Sequence, residues 1–464
     1  MIRTRIAPSP TGEDLHIGNL HTALINWAYA SKNSGQFIIR IEDTDKNRLI
    51  KGSEEKILQT LKNYGLDYDE GPDIEGRYGP YRQSERLEIY DSYIKELLDK
   101  KFAYYCFCSK ERLDDLRKKQ IKGKKVPKYD KHCLNSVKNS EKRIENGEKY
   151  VIRLNVKSGK KIEFEDAIRG KIIFESNNID DQILIKSDGY PTYHFAVVID
   201  DHLMGITHVI RGEEWISSTP KHIILYDAFG WEKPIFAHTP LLRNPDKSKL
   251  SKRKNPVWAS WYLKKGYLPR AVLNYLALMG WSHPKQKEVF TMDEFINVFD
   301  LKDMKAVGPA FDPVKLEWMN GEHIRALEID DLKTRISNFI GKEYDEKIIL
   351  KTIPIIRERI KKLSDYLPLC DFFFEKPKKF EINIKQYKNL FKKISNTLSE
   401  LKDLKAGLIG EHLINLAKSE KIKTGDFFMY LRVAITGKKI SPPLNESMEI
   451  LGKDECLKRI EDIK

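Results

Sequence analysis

The segment Pro8-Ser9-Pro10-Thr11-Gly12-Glu13-Asp14-Leu15-His16-Ile17-Gly18-Asn19 lies between a strand-like run and a helix-like run. In an open α/β sheet, such a loop sits on the ligand side, outside the carboxyl ends of the strands. The helix N-terminus that follows offers free N–H groups and a partial positive charge to phosphate. His16 is placed to donate a hydrogen bond to phosphate oxygens, and Gly18 lets a base or ribose approach the backbone. Taken alone, the loop reads better as a proline-bounded turn with a capping histidine. A second loop, Lys247-Ser248-Lys249-Leu250-Ser251-Lys252-Arg253-Lys254, follows the turn signal Asn244-Pro245. Mobile lysines beside small hydroxyls suit the charge that builds on an α-phosphoryl group and its leaving pyrophosphate during adenylation. An isolated basic run is more commonly solvated surface charge.

Other chemistry-bearing residues are scattered. Arg5 and Arg211 each end a strand-like run, and arginine's planar fork suits a carboxylate best. Glu42 is placed to pair with an ammonium group and Tyr193 to supply a hydroxyl. A plain ion pair between neighbouring strands is the competing reading of Arg5 and Glu42. Cys106-Phe107-Cys108 and Cys133, after a 24-residue gap, form a metal-type pattern with three donors. Buried free thiols are the alternative.

These residues need elements to hold them. Ile2–Ile6 alternates apolar and basic residues as a strand does, and Pro8 and Pro10 stop it. Leu20, Ala23, Leu24, Trp27 and Ala28 fall at helical spacing, and Phe37–Ile41 is the next strand. Strand, helix and strand in about 40 residues read as a right-handed crossover onto a parallel sheet. A helix capped by Ser53 follows, with Gly65 at its end. The segment 101–186 changes character, with the cysteines, a Lys-rich stretch and short β-rich pieces such as Tyr150–Val156. The sheet pattern then resumes in two short buried-type runs, Phe195–Ile199 and Thr207–Ile210. The next helix has Thr219 as cap, Pro220 in its first turn and Gly230 past its end. From about residue 320 the signal is almost all helical, as in Leu398–Lys418 and Asp426–Thr436.

The length exceeds a single domain several-fold. Hydrophobic residues are 41% and charged residues 32%, a globular cytosolic balance. Basic residues number 82 against 68 acidic, a net charge of +14. That surplus points evenly to a polyanionic partner or to a Lys-rich style. No apolar run approaches the roughly 18 residues that cross a bilayer, and no secretory signal opens the chain. Five cysteines do not make a disulfide scaffold.

The two loops together, His-Ile-Gly-Asn and Lys-Leu-Ser-Lys-Arg more than 200 residues later, resemble the paired signatures of class I aminoacyl-tRNA synthetases. No G-x-G-x-x-G or Walker A segment supports a dinucleotide or P-loop reading. The closer resemblance is to bacterial glutamyl-tRNA synthetases. It rests on Arg3–Gly12, Arg40–Asp45, Gly79–Ser84, Lys186–Tyr193, Arg211–Trp215, Leu241–Asn244 and Leu431–Gly437. It covers nearly the full chain. Asn19 stands where many members have histidine, a position that varies in the family.

The resemblance implies an α/β Rossmann-like catalytic domain with an α+β insertion, followed by an all-helical anticodon-binding region. The expected divisions are 1–100 and 187–250 for the catalytic halves and 101–186 for the acceptor-binding insertion. A stem-contact region follows at 251–320 and helical anticodon-binding domains at 321–464. The implied reaction is ATP-dependent activation of L-glutamate and transfer to the 3′-terminal ribose of tRNA(Glu). Arg5, Ala7, Ser9, Glu42, Tyr193 and Arg211 are the implied glutamate contacts. His16, Gly18, Glu214, Leu242, Lys249, Leu250, Ser251, Lys252 and Arg253 are the implied ATP contacts, with His16, Gly18, Lys249 and Lys252 in catalysis. The resemblance places Arg359, on a candidate helix with Arg357 and Glu358, near the position that reads the third anticodon base in some members; an exposed helix arginine with no partner is the alternative. Mg²⁺ is expected with ATP.

Some members bind zinc through three cysteines and a histidine. Here Asn135 takes the histidine's place, with His132 a candidate substitute, so zinc at Cys106, Cys108 and Cys133 stays open. A monomer in the cytoplasm, without membrane contact, is the family default. Charging of tRNA(Gln) is left open. A small-molecule nucleotidyltransferase would not need the helical C-terminus, and a non-ligating RNA-binding relative would have an eroded nucleotide loop. A glutaminyl-tRNA synthetase usually carries β-barrel anticodon domains.

Overall fold

The computed structural model describes residues 1–464 except 138, 247, 249, 251–255, 309 and 464. The chain divides into two compact units. The first comprises Met1–Trp261 and Leu273–Asp312; the second comprises Tyr262–Val272 and Pro313–Lys464.

The first unit opens with β1 (Arg3–Ile6), α1 (Ile17–Lys32) and β2 (Gln36–Ile39). The strands pair in parallel, with Arg5 opposite Ile38, as the expected crossover requires. Leu20, Ala23, Leu24 and Ala28 of α1 are fully buried, which seats the helix on this pair. Next come α2 (Ser53–Asn63), α3 (Leu87–Asp99), β3 (Ala103–Cys106), α4 (Lys110–Lys122), α5 (His132–Ser136) and α6 (Ser140–Glu145). Then follow β4 (Val151–Leu154), β5 (Lys161–Asp166), β6 (Gly170–Glu175), β7 (Ile183–Ile185), α7 (Tyr193–Leu203), β8 (His208–Gly212), α8 (Thr219–Phe229) and β9 (Ile235–Thr239).

One sheet runs β3-β4-β7 and a larger one β6-β5-β9-β8. β8 and β9 are parallel, and the β5–β6 hairpin joins them through Asp166 beside Phe236. The N–H of Thr207 reaches the Arg3 carbonyl at 3.0 Å, which brings the start of β8 alongside β1. Segment 101–186 thus adds two strands to the sheet that holds β8. Its Ile152, Leu154, Phe164 and Leu184 share a core with Phe195, Val209 and Phe236.

Three local expectations are corrected. Phe195–Ile199 is not a strand but the middle of α7, with all five residues essentially buried. A stretch of helix buried all round has no polar face, so a short apolar run of this kind does not distinguish helix from strand. Ser53 is the first residue of α2, and Gly52 precedes it at φ 77°, a left-handed conformation that glycine adopts without strain. Ser218, not Thr219, stands at the N-cap position of α8, without a side-chain capping bond, while Pro220 and Gly230 stand as expected.

The second unit is helical. Helices Pro313–Arg325, Ile329–Ile340 and Glu346–Ile356 build one core around Leu332, Ile336, Ile349, Ile353 and Tyr366. Helices Lys388–Glu400, Ala406–Ser419, Thr424–Thr436, Leu444–Leu451 and Lys453–Glu461 build another around Ile394, Leu413, Leu431 and Met448. The helical reading of Leu398–Lys418 is broken at 401–405. Leu401 and Leu404 stay buried in the break, so the apolar spacing carries no mark of it. Among the described residues, no helix is long and apolar enough to cross a membrane.

Candidate active site

A cleft of about 590 Å³ opens in the first unit, above the carboxyl ends of β1 and β8. It is lined by Arg5, Ala7, Ser9, His16, Gly18, Glu42, Tyr193, Arg211, Glu214, Leu242 and Leu250. Every described residue assigned to glutamate or ATP therefore meets in one place. Lys249, Ser251, Lys252 and Arg253 lie outside the described residues.

His16 both caps a helix and lines the cleft. Its Nδ1 accepts from the Gly18 N–H at 3.0 Å, so the ring proton resides on Nε2. A side chain at Gly18 would bring its Cβ to 3.2 Å from that Nδ1 and press the ring aside. The first-turn N–H groups of α1 are not free, contrary to expectation. Ile17 N–H bonds to the Val257 carbonyl at 2.7 Å and Asn19 N–H to the His16 carbonyl at 2.8 Å. What α1 presents to an anion is its dipole and the His16 ring, both of which survive this pairing.

One end of the cleft rests on a buried charge network. Arg5 grips Asp201 through two bonds, Nε at 3.0 Å and Nη2 at 3.1 Å. Arg40, fully buried, donates to Asp201 at 2.8 Å and to Glu42 at 3.3 Å, with Asp200 3.6 Å from its Nε. Asp200 is held in turn by Arg86 at 2.7 Å, Gln83 at 2.8 Å and Tyr90 at 2.9 Å. Arg5 and Glu42 are therefore not each other's ion-pair partners. Burial pushes the Glu42 carboxyl up to about 7, against the pull of Arg40 and Arg5. Burial also works against the Asp201 carboxylate, but Arg5 and Arg40 outweigh it and hold its pKa below the usual range.

Also in the cleft, Arg211 is bonded at all three guanidinium nitrogens. Nε donates to His238 at 3.2 Å, Nη1 to Tyr193 and His222 at 3.3 Å, and Nη2 to Thr219 at 2.9 Å. Burial, then the charge of Arg211, holds His222 well below its ordinary value. Burial lowers His238 to about 4 despite Asp166. The Tyr193 ring packs on Trp215 with centroids 4.3 Å apart. Two guanidiniums, a carboxylate beside them and a histidine at a helix N-terminus suit a substrate with carboxylate and ammonium groups next to a polyphosphate.

The family model for class I tRNA synthetases (E and Q), catalytic domain, matches residues 1–318, and that for an anticodon binding domain matches 322–464. The chain belongs to this class I synthetase family. A curated glutamate–tRNA ligase from Acidothermus cellulolyticus is 44% identical over 99% of this chain and 94% of its own. One from Fusobacterium nucleatum is 43% identical over 100% and 97%. The crystal structure of a glutamate tRNA ligase from Elizabethkingia meningosepticum, in complex with its amino acid, superimposes with a TM-score of 0.89. It is 36% identical and covers 100% of this chain and 99% of its own.

Arg40, which opens a quoted family segment, and Asp200, Asp201, Asp166, His222 and His238, which lie outside those segments, support the cleft from behind, and none was assigned a role from the sequence. Arg40 opens one quoted motif and His222 follows another, but nothing in their spacing shows what they touch. The three cysteines do converge, with donor atoms within 4.8 Å of one another. Neither fourth-donor candidate joins them: His132 and Asn135 are exposed, turned to the outer side of α5, while Cys133 is buried. The Tyr129 hydroxyl instead lies 3.4 Å from Cys106 Sγ and 3.2 Å from Cys108 Sγ. Arg359 is not on a helix. Glu346–Ile356 ends three residues earlier, and Arg359 is exposed on the turn after it. Buried Ile356 and Ile360 continue the helical spacing, so periodicity alone overruns the end.

Proposed function

We propose that this chain is a glutamate–tRNA ligase. The observation that carries the reading is the single cleft in which Arg5, Glu42, Tyr193 and Arg211 stand beside His16 and Gly18. The glutamate α-carboxylate attacks the α-phosphorus of ATP; a P–O bond forms and the bond to pyrophosphate breaks. A ribose hydroxyl of the tRNA 3′ end then attacks the acyl carbon, and AMP leaves. The substrate carboxylate is already a nucleophile, so positioning and charge stabilisation do the work. Arg211 and Arg5 hold carboxylates and Glu42 holds the ammonium. Ala7 and Ser9 shape the wall. His16, Gly18, Glu214, Leu242 and Leu250 receive ATP, and Lys249 and Lys252, with Ser251 and Arg253, neutralise the transferring phosphate. Mg²⁺ accompanies ATP and neutralises its phosphates.

Arg359 approaches an anticodon base; its exposure and its charge beside Arg432 support this. Cys106, Cys108 and Cys133 would hold a zinc ion through three thiolates in a structural role, with the Tyr129 hydroxyl beside two of them. The enzyme acts as a cytoplasmic monomer on tRNA(Glu), with tRNA(Gln) the second substrate to test. Radiolabelled glutamate charging of both transcripts, with a no-tRNA pyrophosphate-exchange control, tests the reading. Charging of neither tRNA would refute it.

A further inference from the structure

The two arginines of the cleft are held differently. Arg5 is chelated by a carboxylate, Asp201, which neutralises much of its charge locally. Arg211 is bonded only to uncharged acceptors, and its nearest anchor carboxylate stands one imidazole away. The proton positions along that chain follow from its end. Asp166 is an acceptor, so the 2.5 Å contact requires a proton on His238 Nδ1. His238 Nε2 is then a bare lone pair, facing both the Arg211 Nε–H at 3.2 Å and the Thr219 hydroxyl at 3.1 Å. On the far side, His222 Nδ1 accepts from Arg211 Nη1, which places the His222 proton on Nε2, directed at His194 Nδ1 at 3.1 Å. Asp166 is itself fixed, since its carboxylate also accepts from the N–H groups of Ile168 and Arg169, each at 3.0 Å.

We propose that Asp166 and His238 are positioning residues for recognition of the substrate carboxylate. Asp166 locks the His238 tautomer, and His238 aims the Arg211 guanidinium without cancelling its charge. A carboxylate in direct contact would hold the arginine as firmly but would compete with the substrate for it. An imidazole spacer keeps the orientation and leaves the positive charge for glutamate. This rests on the reading of Arg211 as a glutamate contact.

Two side-chain geometries separate the role from mere packing. Gln at position 238 can place an oxygen near the lost Nε2, whereas Asn reaches only the Nδ1 position. Asp166→Asn can donate to His238 Nδ1, which moves the imidazole proton to Nε2 and sets two donors against each other. In aminoacylation of tRNA(Glu), Asp166→Asn and His238→Asn are expected to raise the glutamate KM about ten-fold or more, the scale of a lost bond to a charged group. The ATP KM is expected to hold, and His238→Gln should recover most of the loss. Equal effects of His238→Asn and His238→Gln, or a parallel rise in the ATP KM, would overturn the proposal. Arg211→Ala separates the two levels. A normal glutamate KM in that variant removes Arg211 from the substrate altogether, whereas a raised KM there with normal Asp166→Asn and His238→Asn overturns only the positioning role. Nitrogen NMR of the histidine-labelled wild-type chain reads the tautomer without any variant. Nδ1–H at His238 is expected, and Nε2–H would overturn the proposal.

Discussion

Lowering the pH from about 8 to about 6 should weaken glutamate binding roughly ten-fold, because Glu42 must be ionised to hold the substrate ammonium. Burial raises this carboxyl to about 7 even with Arg40 3.3 Å away. It is then roughly nine-tenths ionised at the upper pH and one-tenth at the lower. The ammonium of glutamate keeps its proton over that range, so the slope belongs to the protein. The glutamate KM, measured in aminoacylation across this range with the ATP KM as control, should show the rise. In Glu42→Gln the KM should be about ten- to a hundred-fold higher, the scale of a lost charged hydrogen bond, and nearly flat with pH. Stability should move the other way. A carboxyl whose folded value is raised destabilises the fold when ionised, and the burden is relieved as pH falls from about 7 toward its unfolded value. Removing the charge should therefore stabilise the protein at pH 8 by up to about 3 kcal/mol, read as a higher denaturant midpoint. A wild-type glutamate KM independent of pH, or the same slope in Glu42→Gln, would refute the reasoning.

Asp201→Asn leaves Arg5 and Arg40 buried without their shared anion and should destabilise the protein by about 3–5 kcal/mol in denaturant titrations; a change within experimental error would remove Asp201 from the network. Lys252→Ala should slow glutamate activation sharply while tRNA binding stays nearly intact, and equal loss of both would count against a role in the transition state. The +14 charge should make tRNA affinity fall steeply with salt while the glutamate KM does not, so parallel slopes would detach the surplus charge from RNA. Protein grown with ample zinc should carry one ion per chain by elemental analysis, lost in Cys133→Ala; metal-free protein would leave Cys106, Cys108 and Cys133 as thiols.

The residues that face the cleft were legible because their chemistry is local. His16 and Gly18 share one segment, and Arg5 and Arg211 each end a strand-like run, so type and position marked them as candidates and the family resemblance gave them roles. The crossover from β1 through α1 to β2 was legible for the same reason, since its apolar spacing repeats within each element. The residues behind the cleft were not. Asp201 meets Arg5 across 196 positions, and Asp166 meets His238 across 72. No spacing rule joins residues that only the packing of distant strands and helices brings side by side.

The same limit explains the local corrections. The middle of α7 is buried throughout, so Phe195–Ile199 lacks the polar face that would mark a helix. The helix ending at Ile356 is followed by an isoleucine that keeps its period, so the end is set by packing. Tyr129 reaches the thiols because the loop before α5 folds back onto β3. The sequence alone therefore determined which groups could handle glutamate and a nucleotide, since side-chain type is intrinsic. Only the tertiary structure decided their charge states and orientations, because burial and partners brought from distant strands and helices set both.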